Sequence, residues 1–373
     1  MFSAGAYPGS QPGYFFNARK IPPAQLYLRI TEACNYRCRQ CLIWTHKDPQ
    51  NALTIEEKLG IAKQFHSLNP KGIIWLTGGE PMMKLNEFLT VSSKCRELGL
   101  FVGSNTNGSF IKDEAIAKNI LTKGPNHLLI SLDSHVKELH NYTRGVDTAY
   151  DQVLRAVKLL IKLKKGHFSK YENHIGLICI LFEETLPLFK DYIEFCRKLG
   201  VDSVNFQLLS KTFGSENQPS DPFYEKHNFK NPQKTKQYIE AVYHQYRSDR
   251  FVNLPGIDLI IKHLEDPGSE TPYPVCKSHE KNMMVSITGD VQLCFNSHHI
   301  LDHPFVGNIR KNSLQELWMS EKAQSSRRVM EQCRRDCGLL NCHRKIPFIS
   351  MLKVSLLMKY LSARKKLVRW IGR

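Results

Sequence analysis

Three of the chain's eleven cysteines crowd into one short stretch, Cys34-Asn-Tyr-Arg-Cys38-Arg-Gln-Cys41. Three thiolates in one loop can hold three irons of a [4Fe–4S] cube and leave the fourth iron without a protein ligand, and an open iron is a reaction site. The competing reading is a zinc knot, which wants a fourth Cys or His, and His46 is the residue that could complete it. A second stretch, Thr77-Gly78-Gly79-Glu80-Pro81, pairs two glycines that let the backbone approach a ligand closely with a carboxylate that accepts from a cationic ammonium group. Taken alone it is also an ordinary turn.

Five further cysteines, Cys276, Cys294, Cys333, Cys337 and Cys342, fall in the last hundred residues. They exceed the four ligands of one cube and fall short of the eight that two fully ligated cubes need, so one additional cluster is the economical count. Cys342 is the expected spare. A closed four-thiolate zinc site is the rival here. Cys95, Cys179 and Cys196 sit in apolar segments and read as small hydrophobes.

These groups need a scaffold, and the hydrophobic pattern supplies one. Strand-like runs Leu26–Ile30, Gly72–Thr77, Phe101–Asn105, His127–Ser131, Ile175–Leu181 and Val204–Leu209 alternate with helical segments. The first helix is opened by Thr54 with Glu57 three residues later, a capping box. The others cover 85–98, 112–123, 148–163 and 186–199. Such alternation predicts parallel strands with helices packed outside, as an open doubly wound sheet or a complete or partial barrel. The cysteine loop follows the first strand and Gly78-Gly79-Glu80 the second, which is where sites of such folds lie. Residues 211–236 are polar and read as a linker or lid, with a helical stretch around Tyr238–Tyr246 beyond it.

With 52 basic against 35 acidic residues the formal net charge is +17, which favours an anionic partner without choosing one. No charged leader with a short apolar run opens the chain and no apolar stretch reaches spanning length, so a cytoplasmic protein is expected, and cysteines there serve metals rather than disulfides. The tail 347–373 is basic. At helical spacing Ile349, Leu352, Leu356, Tyr360, Leu367 and Trp370 share one face, which suits peripheral contact with the inner face of a membrane or docking on the catalytic domain. Aromatics interleaved with basic residues on a platform are not seen, so no nucleic acid is expected.

The C-x3-C-x2-C spacing directly after a first strand closely resembles the signature of the radical S-adenosylmethionine (SAM) superfamily, and Gly78-Gly79-Glu80-Pro81 matches that family's second motif. The order Cys276, Gly289-x4-Cys294, Gly307-Asn308-Ile309, Leu317-Trp318, Cys333-x3-Cys337-x4-Cys342 resembles its SPASM or twitch auxiliary-cluster domain. The resemblance implies a partial (β/α)6 TIM-like barrel with a small C-terminal cluster domain. The divisions are an irregular arm (1–23), a radical SAM core (24–210), a linker or lid with a helix (211–275), a SPASM/twitch-like domain (276–345) and a basic amphipathic helix (346–373).

For the site, the resemblance implies a [4Fe–4S] cluster on Cys34, Cys38 and Cys41 whose open iron chelates SAM, with Gly78, Gly79, Glu80 and Pro81 at the SAM amino group. Ser104 and Asn107 after the third strand, Ser131 after the fourth, and Arg144 resemble positions serving the ribose and carboxylate. Read as residues alone, Asn107-Gly108 is equally a turn and Asp133 a helix cap. One departure is Gln40, where the family usually carries an aromatic residue that packs near adenine.

The activity implied is reductive cleavage of SAM to a 5′-deoxyadenosyl radical that abstracts hydrogen from a small-molecule, sugar or lipid-linked substrate. An auxiliary [4Fe–4S] cluster would assist the oxidation and a flavodoxin or ferredoxin would supply electrons. A peptide-modifying maturase is the alternative, and a non-catalytic metal-binding scaffold a third reading that the intact motifs disfavour.

Overall fold

The computed structural model describes residues 17–166, 171–209, 222–253 and 278–333. Six strands form its centre: β1 (Gln25–Thr31), β2 (Ile73–Gly78), β3 (Phe101–Thr106), β4 (His127–Ser131), β5 (His174–Leu181) and β6 (Ser203–Leu208). They pair in sequence order and all in parallel. Each is followed by helix: α1 (Ile55–Leu68), α2 (Leu85–Glu97), α3 (Glu114–Lys123), α4 (Lys137–Arg144) with α5 (Ala149–Gly166), α6 (Phe189–Leu199), and α7 (Pro222–His227) with α8 (Pro232–Tyr246).

Alternation along the strands explains the layering. Leu26, Leu28 and Ile30 of β1 and Ile74 and Leu76 of β2 are fully buried, while Tyr27, Arg29 and Trp75 between them are half-buried on the opposite face. One strand face thus lies under a helical layer, in which α1 packs on α2, α2 on α3, and α3 on α5. This is the α/β partial-barrel class. The capping box at Thr54 and Glu57 is present as read, and each strand matches its expected run to within a residue or two.

The helix read around Tyr238–Tyr246 is present as 232–246, and residues 222–227, within the expected linker, are helical as well. The C-terminal segment adds strands to the central sheet. β8 (Asn282–Val285) pairs in parallel with the outer edge of β1, and β9 (Asp290–Gln292) and β10 (Gly307–Asn308) continue the same sheet antiparallel. With β7 (Val252–Asn253) beyond β6, one ten-stranded sheet runs β10-β9-β8-β1-β2-β3-β4-β5-β6-β7. An exposed β1 edge would carry unpaired amides beside the cysteine loop, and β8 covers it.

Behind these strands come α9 (Ser278–Lys281), α10 (Leu314–Met319) and α11 (Glu321–Glu331). They dock on the core through named contacts. Arg310 forks onto Glu57 of the α1 cap at 2.5 and 2.9 Å, Leu53 N donates to Ile287 O at 2.8 Å, and Trp318 Nε1 donates to Ile21 O at 3.0 Å.

Candidate active site

The C-terminal ends of β1 to β5 meet along one edge, and the cysteine loop lies across it. Its two legs are tied together: Asp48 accepts from Glu32 N at 2.6 Å and from Thr31 Oγ1 at 2.8 Å, and is itself paired with Lys84 at 2.7 Å. The residues between the cysteines fasten the loop to its surroundings. Asn35 exchanges hydrogen bonds with Ser109 and Asn107, each at 2.9 Å, and the buried Tyr36 donates to Gln152 at 2.8 Å. Arg39 N and Nε donate to the carbonyls of Thr143 and Tyr142, both at 2.9 Å, capping the last turn of α4. Gly145, left-handed at φ 64°, ends that helix so close to the loop that a Cβ would stand 2.2 Å from Arg37 O.

Cys34, Cys38 and Cys41 are free and half-buried, near enough to one another to interact electrostatically. Burial pushes Cys34 up to about 11 and Cys41 up to about 12, and raises Cys38 as well. Neutral thiols in such a place become thiolates when a metal supplies the compensating charge. Three thiols in one loop, with no fourth cysteine beside them, match a cube that puts each thiolate on its own iron and leaves one iron open. Two buried polar atoms beside it also lack a protein partner, Gln40 Oε1 and Arg144 Nε.

The glycines of the second loop serve the chain itself. A Cβ on Gly78 would lie 2.0 Å from Thr31 O and one on Gly79 2.3 Å from Ala33 O, and Gly79 N and Glu80 N donate to those carbonyls at 3.0 and 2.9 Å. The close approach is to residues 31–33, immediately before Cys34, so the two motifs are locked in register. Pro81 starts a short buried turn. Glu80 is 1% exposed; Oε1 accepts from Thr106 Oγ1 at 2.7 Å and Met82 N at 3.1 Å, and Oε2 from Asn107 N at 2.7 Å. Burial raises its pKa.

The other sequence-derived positions separate. Asn107 joins Glu80 to Asn35 and so sits between both motifs, with Gly108 left-handed after it as the turn reading expects. Ser104 lies inside β3, fully buried, and its hydroxyl donates to Leu76 O at 2.8 Å across to β2. Ser131 ends β4, half-buried. Asp133 is no helix cap, since α4 begins after Val136. It is 1% exposed, accepts from Arg144 Nη2 at 2.7 Å, Thr143 Oγ1 at 2.9 Å and Gln40 Nε2 at 3.5 Å, and its amide donates to His140 Nδ1 at 3.1 Å.

Sequence reasoning missed α4 and with it the role of Asp133, Thr143 and His140. Arg144-Gly145, a basic residue followed by a left-handed glycine, was the stop signal that would have revealed the helix. It also missed the line Tyr142 Oη to His227 Nε2 at 3.2 Å and His227 Nδ1 to Glu184 at 2.7 Å, which joins α4 to α7.

In the C-terminal segment Cys294 follows β9, is buried, and its sulfur accepts from Asn296 N at 3.2 Å. Ser278 donates to Leu293 O at 3.0 Å, and His279 Nε2 lies 3.0 Å from Glu331, two residues before Cys333. The start of the segment is thereby bound to the neighbours of both cysteines. Cys276, Cys337, Cys342 and the tail 347–373 lie outside the described residues. Cys95, Cys179 and Cys196 are buried as expected, Cys179 donating to Asp133 O at 3.2 Å.

Parallel strands whose C-terminal edge carries a three-thiol loop, a buried glutamate and a buried arginine define an iron–sulfur enzyme. Comparison with known proteins gives the family. The radical SAM superfamily profile matches residues 28–196 and the SPASM iron–sulfur cluster-binding domain matches 276–342. The AdoMet-dependent heme synthase of Oleidesulfovibrio alaskensis is 26% identical over 84% of this chain and 79% of its own length. The antilisterial bacteriocin subtilosin biosynthesis protein AlbA of Bacillus subtilis is 22% identical over 83% of this chain and 64% of its own. Among solved structures, Streptococcus suis SuiB bound to S-adenosylmethionine shares the fold at TM-score 0.65 and 15% identity, covering 87% of this chain and 76% of that one. The chain belongs to the radical SAM superfamily, as an enzyme with a C-terminal SPASM domain whose cofactors are SAM and [4Fe–4S] clusters. Among the described residues no helix is long and apolar enough to cross a membrane.

Proposed function

We propose that this enzyme carries out a two-electron oxidation at a carbon centre of a small organic substrate, a sugar or a lipid-linked molecule. The cluster and SAM, when bound, supply reductive cleavage of the sulfonium bond and the hydrogen-abstracting species. The chain's residues hold and orient. Cys34, Cys38 and Cys41 are the cluster ligands, with Cys276, Cys294, Cys333 and Cys337 as ligands of the auxiliary cluster that takes the second electron. Glu80 receives the SAM ammonium. Its three protein donors leave carboxylate lone-pair capacity unused, and a cation there would offset the burial of its charge. Gly78, Gly79 and Pro81 hold that loop against the cluster loop. Asn107 couples the two, and Ser131 offers a hydroxyl at the end of β4. A low-potential carrier such as flavodoxin or ferredoxin supplies electrons.

The observation that carries this reading is the hydrogen-bonded register of residues 31–33 with 78–80, which sets three thiols and one buried carboxylate at a single strand edge. A small-molecule substrate is supported by the heme synthase relatives. A peptide substrate is the second reading, favoured by the subtilosin biosynthesis relative.

Anaerobic reconstitution with iron counting and a 5′-deoxyadenosine assay tests the class-level chemistry. Cys38→Ala should lower iron by about one cube and abolish SAM cleavage, whereas zinc at that loop would end the reading. Screening tetrapyrrole, sugar and lipid-linked candidates against short precursor peptides then separates the substrates, since only the true class should raise 5′-deoxyadenosine formation and yield an oxidised product.

A further inference from the structure

The cysteine loop presents charge to solvent, and all of it is positive. Arg37 and Arg39, either side of Cys38, and Lys47, just past Cys41, are exposed. From Cys34 to Lys47 no acidic residue occurs. The carboxylates that flank this segment are committed elsewhere, Glu32 to Arg29 at 2.6 Å and Asp48 to Lys84 at 2.7 Å. Aromatic rings hold the two arginines: the Arg37 guanidinium lies 5.9 Å from the centre of the Trp44 ring, and that of Arg39 lies 4.4 Å from the centre of the Tyr142 ring, with Arg39 Nε also on Tyr142 O. Met83, 40% exposed, stands next to Lys84 and so beside the Asp48 end of the loop. Cations around an exposed apolar side chain suit a transient, charge-steered docking face.

We propose that the outer face of the cysteine loop, with Arg37, Arg39 and Lys47, is where an acidic, low-potential electron-carrier protein docks to reduce the cluster. The inference deepens the proposed function and rests on Cys34, Cys38 and Cys41 being the ligands. A carrier seated there has only the ligand loop between its redox centre and the cube. One electron leaves the carrier, which is oxidised, and enters the cube, which is reduced; no bond is made or broken. Complementary charge raises association rates by roughly 10- to 1000-fold and is screened by salt, which suits a partner that must leave after each electron. The excess of 52 basic over 35 acidic residues adds to the attraction, and the loop gives it a location.

The test compares two electron donors on the full-length, anaerobically reconstituted protein, with iron counted first. One is reduced flavodoxin; the other is photoreduced 5-deazariboflavin, a small neutral molecule that needs no docking face. Samples frozen at intervals are read by electron paramagnetic resonance, and the signal that changes on adding SAM identifies the N-terminal cluster. In the double variant Arg37→Glu/Lys47→Glu, reduction by flavodoxin at low ionic strength should slow about tenfold, while reduction by deazariboflavin keeps its wild-type rate. Added salt should slow the flavodoxin reaction of the wild type and act much less on the variant. Arg37→Gln/Lys47→Gln should fall between the two. Arg39 is left unchanged because it also fastens the loop. Lys118→Glu/Lys158→Glu alters the net charge equally on exposed positions of α3 and α5 in the helical layer, and should slow flavodoxin far less.

An unchanged flavodoxin rate in Arg37→Glu/Lys47→Glu would overturn the proposal, and a raised KM for a tetrapyrrole carboxylate alongside would give these cations to an anionic substrate. Equal slowing in Lys118→Glu/Lys158→Glu would also overturn it, since net charge alone would then account for the effect. If the glutamate variant loses iron or slows with both donors, the glutamine variant decides, and a flavodoxin rate that falls no further than its deazariboflavin rate sinks the idea. A wild type reduced by deazariboflavin but by neither flavodoxin nor ferredoxin would refute the carrier reading and the docking face with it. A wild type lacking any SAM-sensitive cluster would instead refute the ligand assignment beneath both.

Discussion

At the scale of single residues, the site is built from buried side chains each held by named hydrogen bonds, so small changes have defined consequences. Glu80 accepts from Thr106, Met82 and Asn107 while buried. In Glu80→Gln the amide nitrogen must take the Oε2 position and face the Asn107 amide, another donor, and the charge that would meet the SAM ammonium is gone. Hydrogen bonds to charged groups contribute about 1.5–3 kcal/mol, so SAM affinity should fall roughly 10- to 150-fold. Equilibrium binding to the reconstituted protein measures it, and an unchanged affinity would remove Glu80 from the cofactor site. Gly79→Ala inserts a methyl 2.3 Å from Ala33 O and must break the Glu80 N to Ala33 O bond. A loss of about 2–4 kcal/mol is expected from the lost bond and the forced separation, read by denaturant unfolding, together with lower iron per chain.

At the scale of elements, α4 is the short helix on which the cysteine loop rests, and it is sensitive to acid. Burial lowers the His140 pKa to about 3, and its Nδ1 must stay unprotonated to accept from Asp133 N. An unfolded histidine titrates near 6.5, so the unfolded chain binds the extra proton between roughly 6.5 and 3. Stability is therefore full above that range and falls as pH drops through it, by up to about 1.4 kcal/mol per unit. His127, lowered to about 4, and His174, also lowered, act in the same direction from the starts of β4 and β5. His140→Gln should flatten the slope of unfolding free energy against pH by about one proton. An unaltered slope would show that His140 does not stay neutral.

At the scale of the whole molecule, the C-terminal segment is a continuation of the catalytic sheet. Trp318 is the keystone: 1% exposed, bonded through Nε1 to Ile21 O, and covered by the Arg327 guanidinium at 4.2 Å. Trp318→Ala should cost about 3–5 kcal/mol. Because β8 lies on β1, calorimetry should show core and C-terminal segment unfolding in one transition that moves down together. A lower-melting second transition with the core unmoved would mean that the two behave as separate domains.

The local sequence alone determined the strands, the Thr54–Glu57 cap and the two motifs, because periodicity and capping act over a few neighbouring residues. It also sufficed to pick out Cys34, Cys38 and Cys41 as the proposed ligands, whose spacing is the motif itself. It could not show that Gly78 and Gly79 make room for residues 31–33, that Ser104 faces Leu76, or that β8 joins the free edge of β1. Nor could it show that Asp133, Gln40 and Arg144 form one buried network, because the partners lie 93 and 11 positions from Asp133 along the chain. Such contacts depend on strand order and on where a helix ends in space, and only the folded sheet brings those residues together.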